Sequence, residues 1–418
     1  MSWTNCNGGH RVESRQAKWS ITLDQIVVFL VIWEFFWSDN LHLRIYPYIF
    51  WPAVTVYALL KIDFRRFDRL DAKYILMVVV SLLYCAMSSI VSPNSEMGFL
   101  FVFEVILYVF PAMFVVEYGN IDKVIRYIHS LVLVHTALLF MQRFLPGAFS
   151  VIKSVAGATA SRDLLLTDGA YAGLTGQSST ISYYLVLGVC TALYYYGKKK
   201  NKLYLLEILL FLIGLALTYR RGNTLCAIIV IIAYLFLVKG RAYKKAFTIM
   251  AGACIIFAVG LENIPGLSMI IEKTAYQSQF GNALSGRSEI WEIGLNMFKQ
   301  HPLFGNGMYS FTYYVNVVSA HNSYIQKICD LGIVGTILFM LPFVYCFVVS
   351  IKQLFVLRNE NEFGTGMFDL NLLFFLMQLH VFTIAFTEGQ FESPALYVLM
   401  FLVDFGVISI QRERLMNV

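Results

Sequence analysis

The sequence predicts an all-α fold: a polytopic membrane bundle of about twelve transmembrane helices with two long outer-face loops, the larger containing an amphipathic helix. Three observations predict it. Hydrophobic residues make up 58% of the 418 and charged residues 14%, with a mean hydropathy of +0.65, a composition that cannot furnish the surface of a soluble domain. Apolar runs long enough to cross roughly 30 Å of hydrocarbon centre near residues 29, 54, 82, 108, 135, 187, 210, 231, 254, 339, 378 and 403. Lysine and arginine collect at every second junction between runs, as basic residues held on the cytoplasmic side do.

Taken in order, the opening residues 1–20 are polar and too charged for a signal-peptide core, so the first span itself is expected to direct insertion. Arg11, Arg15 and Lys18 precede that span; Lys61, Arg65, Arg66, Arg69 and Lys73 follow the second; Lys123 and Arg126 follow the fourth. Lys198, Lys199, Lys200 and Lys202 follow the sixth, Lys239, Arg241, Lys244 and Lys245 the eighth, and Arg412 and Arg414 the last. Both termini are therefore expected in the cytoplasm: segment 1–20, bundle 21–410, tail 411–418. The net charge of +6 follows from this topology and from anionic lipid headgroups, so membrane lipids are expected partners and nucleic acid is not. Seven cysteines, none in the long outer loops, read as small apolar packing residues. No CxxC or HExxH occurs, and neither a metal nor a cofactor is expected.

Two outer segments exceed turn length, 143–178 and 264–325, and loops of that length in a compact protein carry function. In the larger, Ile290, Ile293, Gly294, Met297 and Phe298 fall on one helical face, opposite Glu289, Glu292, Asn296 and Lys299. Trp291 reads as an interfacial anchor and His301 before Pro302 as the stop. Arg287 starts the helix, where a cation is unfavourable unless an anion shares the site; the alternative is an arginine reaching lipid phosphate. "TYRRGNTL" (218–225) puts Arg220 and Arg221 in an outer turn against the basic-inside bias, for anion capture or for headgroup contact. Glu34, Glu104, Glu207, His380 and Asp404 lie within runs and are expected to face the bundle. Glu388 and Glu392, in "FTEGQFESPA", read as solvated acids or as acceptor contacts.

"SGRSEIW" (285–291), "HPLFGNG" (301–307) and "HNSYIQKICDLGIVG" (321–335), in that order, resemble the outer-loop signature of the O-antigen polymerase and O-antigen ligase superfamily. "YAGLTGQSSTISYYL" (171–185) is similar to a stretch ending the smaller outer loop of capsule and exopolysaccharide polymerases, and "YRRGN" resembles the family's arginine turn. The dense part of the match covers about fifty residues.

The resemblance implies a glycosyltransferase of polysaccharide biosynthesis in the bacterial inner membrane. It would move a glycan from undecaprenyl diphosphate to an acceptor hydroxyl on the outer face, without metal. Arg221 and Arg287 match the family's diphosphate-binding arginines, and Arg220 stands beside them where members vary. His321 matches the histidine of the HN motif and would be the general base, which suits neutral pH; the structural alternative is a helix-start histidine bonding backbone. Asn322, Tyr324 and Gln326 would hold sugar hydroxyls, with interfacial packing an equal reading for Tyr324. His301 reads as part of a turn set by Pro302, Gly305 and Gly307.

Three functions remain open: a polymerase whose acceptor is another lipid-linked repeat unit, a ligase whose acceptor is the lipid A core of lipopolysaccharide, and a lipid-linked oligosaccharide flippase. Motif order favours an enzyme over the flippase. The 171–185 echo and the Arg162-x10-Gly173 spacing favour the polymerase over the ligase. A chain-length regulator protein would be a further partner of a polymerase.

Overall fold

The computed structural model describes residues 22–37, 47–66, 68–156, 170–238, 287–316, 319–359, 366–393 and 396–416; the apolar run near residue 254, Arg162 and Gly286 lie outside them. Among the described residues every element is helical. The first group is α1 (Leu23–Phe36), α2 (Pro47–Lys61), α3 (Arg69–Ile90), α4 (Ser95–Tyr118), α5 (Ile121–Phe144) and α6 (Pro146–Val155). Next come α7 (Ser178–Lys199), α8 (Leu203–Leu217), α9 (Arg221–Leu237), α10 (Arg287–Gln300) and α11 (Ser310–Val315). The chain closes with α12 (Ser323–Asn359), α13 (Gly366–Ile384) and α14 (Leu396–Met416).

Five of these, α3, α4, α5, α12 and α13, are long and apolar enough to cross a membrane, which makes this a multi-pass membrane protein. Twelve spans were expected, and helix length accounts for part of the difference. The apolar helices α2, α8 and α9 have 15, 15 and 17 residues, and at 1.5 Å per residue they reach about 22–26 Å, short of the hydrocarbon thickness. The helices α7 and α14 are also long, but polar residues interrupt their apolar runs: Ser178, Ser179, Thr180 and Ser182 with Lys198 and Lys199 in α7, and Asp404, Arg412, Glu413 and Arg414 in α14.

Buried polar pairs fix how these helices meet, since an unpaired polar group inside such a bundle is costly. Asp404 on α14 accepts from Tyr74 Oη on α3 and from Gln378 Nε2 on α13, both at 2.7 Å. His129 on α5 lies 2.9 Å from Thr191 Oγ1 on α7 and 3.1 Å from Glu207 on α8. At one end of the bundle, Arg412 donates to Asp71 (3.1 Å) and Glu117 (2.8 Å), joining the end of α14 to the start of α3 and the end of α4. Lys198 donates to Asp122 at 2.7 Å, joining the end of α7 to the start of α5. These basic clusters share one end; the starts of α7, α9 and α12 lie at the other.

There α12 is broken at Gly332, whose φ of 65° and ψ of −173° leave the helical region. The break exposes backbone groups that must be satisfied, and the segment 302–307 does so. Asn306 N donates to Cys329 O (3.1 Å) and Gly307 N to Asp330 O (2.9 Å), while Ile333 N and Val334 N donate to Pro302 O (2.9 Å) and Leu303 O (3.1 Å). "HPLFGNG" and "DLGIVG" are thus two halves of one lock. Gly305 has a φ of +76°, and a Cβ there would lie 2.3 Å from Asp330 O. Gly305→Ala is expected to lower the melting temperature sharply in detergent, since left-handed φ alone costs roughly 1–2 kcal/mol and the clash is with backbone. Gly147→Ala on α6, with nothing within 4 Å, is expected to leave it unchanged; equal melting for the two variants would sink this account.

Helix α10 packs through Gly294, whose face meets Phe311 and Ile325, and through Ile290 and Met297. The stripe expected from periodicity included Ile293, but that side chain is 46% exposed; Trp291 turns inward on the buried side.

Candidate functional site

The end of the bundle opposite the basic pairs brings together segments that are remote in sequence, and each contributes a charge its own position disfavours. After α8, Tyr219 adopts a φ of 53°, which turns the chain so that Arg220 caps α9 and Arg221 is its first residue. Arg287 is the first residue of α10. Cations at helix starts oppose the macrodipole, and so does a carboxylate at a helix end; Glu388, whose amide donates to Ile384 O at 2.9 Å, continues the last turn of α13. Placed together, these misfit charges compensate one another.

Glu388 Oε1 lies 3.7 Å from Arg220 Nη1 and 3.9 Å from Arg287 Nη2, and Oε2 lies 3.6 Å from His321 Nδ1. These are ion-pair separations, longer than hydrogen bonds. The arginines are anchored elsewhere, Arg220 by Nε donating to Ser178 Oγ at 2.8 Å and Arg287 by Nη1 donating to Thr387 O at 2.8 Å. Close approach is built in: a Cβ on Gly222 would fall 2.4 Å from Thr387 Oγ1, and one on Gly389 2.4 Å from Ser319 Oγ. Burial, together with the neighbouring Arg220 and Arg221 charges, pushes the Arg287 guanidinium below its ordinary value, with Glu388 opposing. It stays protonated. Arg221 is exposed on the rim of this group.

His321 also has a left-handed backbone, φ 53°, held by its amide donating to Ser319 Oγ at 3.0 Å. The preceding peptide is clamped on both sides: Ala320 N donates to Gln326 Oε1 (3.0 Å), and Trp291 Nε1 donates to Ala320 O (2.9 Å). Trp291, expected as an interfacial anchor, instead ties α10 to the segment that carries His321. The side chain of His321 is 44% exposed while Nδ1 is buried, so the ring opens to solvent on its Nε2 side.

Asn322, Tyr324 and Gln326, expected to hold sugar hydroxyls, are engaged within the protein. Asn322 Oδ1 accepts from the amides of Tyr324 and Ile325, both at 3.1 Å, which makes it the cap of α12. Tyr324 Oη donates to Phe382 O at 2.8 Å and its ring packs on Phe386. Gln326 is fully buried beneath Ala320. His301 is exposed, and its carbonyl accepts from Gly305 N at 3.0 Å within the turn.

The solvated-acid reading of Glu388 and Glu392 is corrected: their side chains are 12% and 6% exposed. Glu392 accepts from Ser323 Oγ at 2.7 Å and lies 3.5 Å from the buried Lys327 ammonium, itself set against the rings of Phe101, Tyr309 and Phe339. The signal that could have found them is charge balance, since arginines gathered at the end of the bundle away from the basic clusters call for acids at the same end.

No curated protein matches the chain. Residues 205–340 match a family model described as O-antigen ligase, a segment that contains Arg220, Arg221, Arg287 and His321 and ends before Glu388. With the apolar helices, this match supports the O-antigen polymerase and ligase superfamily, whose members are glycosyltransferase-like enzymes acting on lipid-linked glycans.

Proposed function

We propose that the protein is a polysaccharide polymerase, which transfers an undecaprenyl-diphosphate-linked glycan to a hydroxyl of another lipid-linked repeat unit on the outer face of the inner membrane. The observation that carries this reading is the gathering of Arg220, Arg287 and His321 around one carboxylate within 3.9 Å, with Arg221 at the rim. The sugar C1–O bond to the diphosphate breaks and the leaving oxygen keeps the electron pair. The developing charge falls to Arg221, Arg287 and Arg220, whose planar forks match phosphate oxygens and are already oriented before reaction. The acceptor oxygen forms the new bond to C1 as its proton passes to Nε2 of His321, the open side of the ring. Asn322, Gln326 and Trp291 hold His321 in place, and Tyr324 braces the start of α12.

The second reading is a ligase of the same chemistry with a lipid A core acceptor, favoured by the description of the matching family model. The 171–185 echo supports the polymerase, although the Arg162 half of that loop lies outside the described residues. Purified protein given only a lipid-linked repeat unit is expected to yield a ladder of products, and a deletion strain to accumulate single units or glycans capped with one unit. Long polymer still attached to undecaprenyl diphosphate in the deletion strain would assign the ligase instead.

A further inference from the structure

We propose that Glu388 is a positioning residue of the transfer: it holds Arg220 and Arg287 apart until the donor diphosphate takes them, and its carboxylate then serves His321 alone. The inference rests on the proposed function.

The contacts are those of a placeholder rather than a finished ion pair. Both guanidiniums approach the same oxygen at 3.7 and 3.9 Å, beyond the 2.7–2.9 Å of a charge-assisted fork, so the carboxylate satisfies neither.

The second half concerns His321. The other oxygen, Oε2, faces Nδ1 at 3.6 Å, and Nδ1 is the buried ring nitrogen. Once relieved of the arginines, the carboxylate can close on Nδ1–H by side-chain rotation. That contact fixes the tautomer in which Nε2 is the free acceptor, and it stabilises the imidazolium formed when Nε2 takes the acceptor's proton. The backbone makes the exchange local. Glu388 N is bonded to Ile384 O at 2.9 Å, and Ser323 N donates to Ala385 O at 2.8 Å, tying the start of α12 to the end of α13. Ser323 follows His321 by two residues, so the distance between acid and histidine is held while the carboxylate turns.

The test uses the full-length protein in nanodiscs, with undecaprenyl diphosphate as the binding probe and a lipid-linked repeat unit as substrate. Glu388→Gln is expected to bind undecaprenyl diphosphate as tightly as the native protein or more tightly, while kcat falls roughly 100-fold; Glu388→Asp is expected to recover part of kcat. A kcat within threefold of native in Glu388→Gln overturns the proposal. So does loss of undecaprenyl diphosphate binding in that variant, which would make Glu388 a scaffold for the arginines. If Glu388→Gln does not remain monodisperse, the same two measurements on Glu388→Ala decide. Failure of the underlying reading has a separate signature: undecaprenyl diphosphate affinity unchanged in Arg287→Ala, whatever Glu388 does.

Discussion

Arg287→Ala is expected to abolish glycan transfer while leaving the amount of protein in the membrane unchanged. The guanidinium is half-buried at the start of α10, with one nitrogen on Thr387 O and another facing Glu388. Its removal takes away a preoriented donor for the leaving diphosphate, an effect of about 10²–10³ in kcat for a single such donor. Fold is spared because α10 keeps its packing through Gly294 and Trp291. Arg287→Lys is expected to recover little, since an ammonium cannot bond Thr387 O and a phosphate oxygen in one plane. The check is product on a gel beside an immunoblot of membranes; polymer at native levels in the alanine variant would refute the site.

His321→Ala is expected to lower kcat by about 10²–10⁴, the usual share of a positioned base, with donor affinity retained because Arg220 and Arg287 are anchored on Ser178 and Thr387 rather than through the ring. Single-turnover transfer measured beside undecaprenyl diphosphate binding separates the two effects. Joint loss of binding and turnover would make His321 part of the anion site and leave the base unassigned.

Much of this arrangement was legible along the chain. Arg220 and Arg221 stand out because they interrupt two apolar runs, and α10 because Ile290, Gly294 and Met297 repeat at helical spacing. Ile293 fits the same spacing but lies at the edge of the face, where periodicity cannot tell flank from centre. The capping bonds of Asn322 were not legible because a polar residue just before a span serves equally as a helix cap and as a ligand; the direction of Oδ1 toward the Tyr324 and Ile325 amides appears only in the fold. Glu388 was illegible as a hub, since its partners come from turns separated from it by long helices. The count of twelve spans is matched only in part, for a related reason. Hydropathy averages over a window and does not register that α8 ends at Leu217 and α9 begins at Arg221, so short helices pass for full crossings.

That wide separation bears on how the protein is made. Synthesis runs from the N-terminus, so Ser178, Arg220, Arg287 and His321 are all in place before Glu388 leaves the ribosome, and Lys327 waits likewise for Glu392. Until α13 and the turn after it have been threaded, Arg220, Arg287 and His321 have not met the carboxylate that joins them, nor Lys327 that of Glu392. A product that stops short of residue 388 is therefore no partial enzyme. It is a set of helices whose site-forming turns have been delivered without the side chain that links them.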